Sequence, residues 1–219
     1  MTVLLRPFLF AKALYLDRKQ RKRIEQLERE TVDKVDSYLD GNMAINLELG
    51  HSHIQSSDWL TMDQNLACDL FWDYRNGIPF PSASVDALHS RNSLQRLSTQ
   101  QLDFLLRDCY RVLKPGGALF FSVPDAEPVL RAYAERRAYF EEHHESIWKP
   151  GWHETGSCMD QVTYAAYCNG HVQSMFDREN AVHLCVKAGF VSTELRTPCL
   201  LYTSPSPRDL STSRMPSSA

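Results

Sequence analysis

Apolar residues recur along this chain with two different periods. Leu102, Leu105, Leu106, Cys109, Val112 and Leu113 fall at helical spacing and predict an amphipathic helix that packs one face on a sheet. Ser98-Thr99-Gln100-Gln101 just before them reads as a capping box, in which Ser98 caps and Gln101 reaches back. After the helix, Leu119 to Val123 is apolar throughout and reads as a fully buried strand. Lys114-Pro115-Gly116-Gly117 separates the two. Lys114 is expected in the last helical turn, where a cation suits the negative end of the helix dipole. Pro115 cannot continue a helix and the two glycines relax the backbone, so a turn is expected here.

The same reading extends in both directions. Residues 17–39 look helical, with Ile24, Leu27, Val35 and Tyr38 on one stripe; Gly41 stops that helix and Asn42 extends the turn. Ala44 to Leu49 reads as a first buried strand ending at Gly50. Leu60 to Met62, ending in Asp63, reads as a second, Asp69 to Trp72 as a third and Val85 to Ser90 as a fourth. Asn76 to Pro81 is a turn-rich loop. Residues 125–148 look helical, and Lys149 to Gly156 is an aromatic and glycine-rich loop. Asp177 is expected to cap a final helix through Lys187, with Gly189 just past its end and Phe190 to Leu195 as a sixth strand. Short strands alternating with helices predict an α/β fold with a doubly wound, mostly parallel sheet.

Composition narrows the picture little. The 219 residues, 43% hydrophobic and 23% charged, suit one soluble globular domain. A net charge of −3 makes no bulk electrostatic case for nucleic acid, and none is expected as a partner. No apolar run is long enough to cross a bilayer, so no stable membrane insertion is expected. Met1 to Leu16 is apolar but broken by Arg6 and Lys12, without a small-residue cleavage site, and reads as mature protein. The cations Arg18, Lys19, Arg21, Lys22 and Arg23 follow that start. They suit either an acidic membrane surface or a solvated helix face balanced by Glu25, Glu28, Glu30 and Asp33. The six cysteines form no C-x-x-C pair and read as reduced thiols of a cytoplasmic protein; no clustered metal ligands are present.

In such a sheet ligands bind beyond the carboxyl ends of the strands. The first strand-to-helix loop, Glu48-Leu49-Gly50-His51-Ser52-His53, lacks the G-x-G-x-x-G fingerprint, which counts against NAD or FAD. The string instead resembles the acidic-x-Gly-x-Gly first motif of class I S-adenosylmethionine-dependent methyltransferases of the type 11 kind, with Ser52 in place of the second glycine. Asp58-Trp59-Leu60-Thr61-Met62-Asp63 is similar to that family's GW-x-N-x-D segment. Leu70-Phe71-Trp72-Asp73, Pro79-Phe80-Pro81 and Ser84-Val85-Asp86 are similar to its W-D-L…PFP…SVD, and Arg111 to Gly117 to its RVLKPGG. Ser90 to Leu97 stands where relatives read SSHVLEHL, with Gln95 and Arg96 replacing Glu and His. Gly170-His171 and Phe176-Asp177 through Gly189-Phe190 resemble the closing segment.

The resemblance, covering about Ala44 to Leu195, implies S-adenosylmethionine as cofactor, with Glu48, Gly50, His51, Asp63, Trp72, Asp73, Arg91 and Asn92 as its contacts. Asp63 would accept from both ribose hydroxyls and Asp73 from the adenine amino group. Trp72 would either flank the adenine ring or simply pack in the core. The implied reaction is methyl transfer to a small-molecule or glycan acceptor. The alternative is a non-catalytic relative with a degenerate cofactor site, for which Ser52, Gln95 and Arg96 speak. No catalytic residue is singled out; His143, His144, Glu145, His153 and Glu154 are candidates for a base should the acceptor arrive protonated.

The organisation expected is an N-terminal helical extension (1–41), a methyltransferase-like domain (42–198) and a tail (199–219). That tail is Ser/Pro-rich without hydrophobic periodicity and reads as disordered. Its wording resembles one reading frame of a transposase sequencing adapter. This implies a natural chain cut near Pro198 and a sheet lacking the further strand with which the family closes.

Overall fold

The computed structural model describes residues 6–41, 43–50, 58–137, 157–194 and 212–214. Among the described residues five helices flank one sheet: α1 (Arg6–Asp40), α2 (Thr99–Val112), α3 (Glu127–Ala134), α4 (Cys158–Tyr167) and α5 (Arg178–Ala188). The strands are β1 (Asn46–Leu49), β2 (Leu60–Asp63), β3 (Leu70–Phe71), β4 (Val85–Arg91), β5 (Leu113–Ser122), β6 (Ser192–Glu194) and β7 (Thr212–Arg214). Their order is β3-β2-β1-β4-β5-β7-β6, parallel from β3 to β5, with β7 antiparallel to both neighbours. The order turns back at β1, so β1 and β4 flank the switch point where a doubly wound sheet opens its crevice.

Register explains the core. Leu47 pairs with Leu60 and Leu88, and Leu88 with Leu119; two residues on, Leu49 pairs with Met62 and Ser90, and Ser90 with Phe121. Because side chains alternate across a strand, these positions share one face, and Leu47, Leu49, Met62, Leu88 and Leu119 are all buried. The opposite face carries Glu48, Thr61, His89 and Phe120. α2 begins at the expected capping box: the Gln101 N–H donates to Ser98 Oγ and the Ser98 N–H to Gln101 Oε1. Asp177 caps α5, and Gly189 ends it at φ 113°, a conformation that favours glycine.

Several expectations need correcting. The helix read over 17–39 starts earlier, at Arg6. The helix begun near residue 125 is described only over Glu127–Ala134, and residues 138–156, including the expected loop, lie outside the described residues. Lys114 is not in the last helical turn. The helix ends at Val112, and Leu113 to Gly117 already belong to β5, bulging between the pairs Val85–Leu113 and Ala87–Ala118. The bulge aims the Lys114 ammonium at both oxygens of Asp86, at 2.9 and 2.7 Å. Asp86 also accepts the Ile45 N–H at 2.8 Å, so one carboxylate fastens the start of β1 to β4 and β5. Within the tail, Thr212–Arg214 pairs through its backbone with Ala118–Phe120 and Ser192–Glu194. An unpaired β5 edge offers backbone partners to any extended segment, whatever its side chains.

The clasp sets a prediction. Burial pushes the Asp86 carboxyl up, but the Lys114 ammonium and the Ile45 N–H outweigh it and hold the group below the usual carboxylate range. A depressed folded-state value contributes stability above the unfolded value, lost as pH falls through the folded one. Asp86→Ala is therefore expected to destabilise by about 2 kcal/mol at neutral pH, since it strands a backbone donor and an ammonium together. The difference from wild type should shrink in urea melts below about pH 4.

Candidate functional site

Four adjacent strands present their carboxyl ends side by side, and the sequence motifs sit on those ends. Gly50 follows β1, and its N–H donates to Met62 O at 2.9 Å. Asp63 closes β2, with its main-chain oxygen accepting the Trp72 N–H at 3.1 Å and Oδ1 accepting the Gln64 N–H at 2.6 Å. Trp72 and Asp73 follow β3; Arg91 closes β4 and Asn92 follows it, its N–H on Ser122 O. The structure thus brings Glu48, Gly50, Asp63, Trp72, Asp73, Arg91 and Asn92 to one edge of the sheet. His51 and Ser52, and the base candidates His143, His144, Glu145, His153 and Glu154, lie outside the described residues.

Gly50 has φ +102°, and a Cβ there would stand 2.1 Å from Ser93 Oγ. Only glycine fits so close to the loop after β4. Ser93 is buried, donates to Arg91 O at 3.1 Å and is hydrogen-bonded to the Tyr74 hydroxyl, whose phenol burial pushes up. Asn92 adopts φ 50°, a left-handed conformation that asparagine tolerates better than most residues.

Buried polar atoms without a hydrogen-bond partner gather at the same tips: Glu48 Oε1, Ser90 Oγ, Asn92 Oδ1 and Gln95 Oε1. Glu48 is 1% exposed, and His89 Nδ1 stands 3.4 Å from its Oε1 without hydrogen-bond alignment. Leaving such acceptors unpaired is costly, so this edge suits a ligand that brings N–H and O–H donors or positive charge. The α-ammonium, ribose hydroxyls and sulfonium of S-adenosylmethionine are of that kind. The residues present fit the group.

Two expected contacts carry other partners. Trp72 Nε1 donates to Gly77 O at 2.7 Å, and the ring packs against the core. Asp73 caps the turn Tyr74–Asn76 and is gripped by Arg75, with Nε on Oδ1 at 2.7 Å and an Nη on Oδ2 at 2.8 Å. The same guanidinium reaches Gln64 Oε1 at 2.9 Å, bridging the ends of β2 and β3. Sequence reasoning passed over Arg75, although an arginine two residues after an acid was the available signal. It also missed the wall formed near Gln173 and Ser174, whose N–H groups donate to Gln95 O at 2.8 and 3.1 Å. Those contacts are made by the backbone and leave no residue signature.

Arg96 is exposed, and Gln95 is buried with its amide on Asn92 O at 2.9 Å. Among the described residues no group of His, Cys, Asp or Glu is placed to hold a metal ion, and Cys68, Cys109, Cys158, Cys168 and Cys185 are reduced, forming no disulfide. No described helix is long and apolar enough to cross a membrane.

Comparison with known proteins adds to this geometry. Residues 62–121 match the methyltransferase domain family. No curated protein sequence matches. Among solved structures, an S-adenosylmethionine-dependent methyltransferase from Mesorhizobium loti is 14% identical at TM-score 0.48, covering 81% of this chain and 96% of its own. One from Archaeoglobus fulgidus is 12% identical at TM-score 0.48, covering 85% and 94%. A possible histamine N-methyltransferase from Thermotoga maritima is 14% identical at TM-score 0.45, covering 90% and 95%. The matched segment spans β2 to β5 and so includes the Asp63, Asp73 and Arg91 tips. The likeness to a methyltransferase domain thus rests on this segment, set in a sheet ordered β3-β2-β1-β4-β5-β7-β6.

Proposed function

We propose that the protein transfers a methyl group from S-adenosylmethionine to a small-molecule or glycan acceptor. The observation that carries this reading is the cluster of buried, unpartnered acceptors at the ends of β1 and β4, beside Gly50 and Asp63. When bound, the sulfonium cofactor supplies an electrophilic methyl group, so the chain's task is chiefly alignment. Asp63 would hold the ribose, Asp73 the adenine edge, and Glu48 with Asn92 the donors of the amino-acid portion. Gly50 keeps the first loop low enough for close approach. Arg91 would border the reacting end.

A second reading, a non-catalytic relative with a degenerate site, draws on the Arg75 grip on Asp73 and on Gln95 and Arg96. Calorimetric titration with S-adenosylmethionine, its demethylated product, NAD and ATP separates these readings. Micromolar binding confined to the two adenosyl-sulfur ligands is expected. No heat from a folded sample would favour the degenerate site, and preference for NAD or ATP would sink the adenosyl reading altogether.

A further inference from the structure

We propose that the amino-terminal arm of α1 attaches the protein peripherally to an anionic phospholipid surface. The helix runs unbroken from Arg6 to Asp40, about 50 Å at the usual rise per residue. Among the described side chains, its contacts with the sheet lie toward the carboxyl end: the Thr31 hydroxyl donates to Phe71 O at 2.9 Å, Lys34 Nζ donates to Asp69 O at 2.7 Å, and Val35 is buried. Toward the amino end, every residue from Arg18 to Gln26 is exposed. Arg18, Lys19, Lys22 and Arg23 stand in that stretch, ahead of its first acid, Glu25. Upstream the same helix reads Pro7-Phe8-Leu9-Phe10-Ala11-Lys12-Ala13-Leu14-Tyr15-Leu16, with Lys12 as its one charge.

The pairing of these two segments selects the occupant. A nucleic acid or an acidic protein would use the cations alone and gives no role to the phenylalanines and leucines of the upstream sequence. An anionic bilayer takes both, with apolar side chains at the acyl boundary and cations among the headgroups. The apolar stretch is about half the length a spanning helix needs, so the arm lies on the surface. This inference is independent of the cofactor reading.

Sedimentation of the full chain with vesicles decides it. The protein is expected to pellet with phosphatidylcholine vesicles holding about a third phosphatidylglycerol, to stay in solution with pure phosphatidylcholine, and to be released as salt rises toward about 0.5 M. The combined variant Arg18→Glu, Lys19→Glu, Lys22→Glu, Arg23→Glu should lower partitioning at least about tenfold. Its thermal melting should be unchanged, since these residues are exposed and remote from the sheet contacts. Phe8→Ser with Phe10→Ser should lower partitioning as well. Equal binding to neutral vesicles, binding to neither, or a charge variant that partitions like wild type would overturn the proposal. So would RNA binding without vesicle binding. A dimer in sedimentation velocity that Phe8→Ser with Phe10→Ser dissolves, with no vesicle binding, would assign the arm to a second copy instead.

Discussion

Gly50→Ala is expected to cost about 3 kcal/mol of stability and to abolish cofactor binding in whatever fraction remains folded. Two penalties combine. The residue sits at φ +102°, where an L side chain is strained whatever space surrounds it. The added methyl would also stand 2.1 Å from Ser93 Oγ and 3.1 Å from Ser93 Cβ. Ser93 cannot simply swing aside, because it is buried, donates to Arg91 O and is hydrogen-bonded to Tyr74. The displacement therefore reaches the loop that carries Asn92 and Gln95. Urea melts of Gly50→Ala, Ser93→Ala and the double variant would separate the penalties. Removing the Ser93 hydroxyl relieves the collision and leaves the φ strain, so the double variant should be more stable than the sum of the single losses predicts. Strict additivity would mean that the loops are not in contact as described.

The legible part of this chain was the part governed by local rules. The Ser98 and Asp177 caps, the spacing of Leu102 to Val112 and the stop at Gly189 each follow from backbone chemistry within a few residues. The strand tips were legible through motif wording more than through physics. That wording proves largely architectural: Asp108 and Arg111 hold the main chain of Ile78 and Phe80, and Lys114 holds Asp86. These contacts lock the Pro79-Phe80-Pro81 loop onto α2, and β4 onto β5, without touching the crevice themselves. A residue pattern can thus identify a fold through the parts that brace it and say little about the reaction.

What the sequence left out was non-local. Lys114 suited a helix end by its position, yet pairing of β4 with β5 turned it toward Asp86. The motif puts Asp73 at the end of β3, and the conformation of the following turn adds Arg75 as a partner. Neither outcome is encoded within a window of sequence, because each depends on where a neighbouring strand ends.

Asp63→Ala should weaken binding of S-adenosylhomocysteine at least about a hundredfold while leaving the fold intact. A carboxylate accepting from two ribose hydroxyls makes two charge-assisted hydrogen bonds, each worth about 1.5–3 kcal/mol. The position is the half-buried last residue of β2, where the main chain stays tied to Trp72 whatever the side chain. The local cost includes loss of the bond from the Gln64 N–H, which water can replace at an exposed turn. Melting temperature should therefore move by only a few degrees. Asp63→Asn keeps one acceptor without the charge and should fall between wild type and alanine. Arg75→Ala provides the counterpoint. It frees the Asp73 carboxylate and should leave binding intact or tighten it, because the grip on Asp73 competes with any donor the ligand brings. If Asp63→Ala binds the ligand as wild type does, the ribose is not held at the end of β2, and the placement of the nucleoside across these strand tips fails with it.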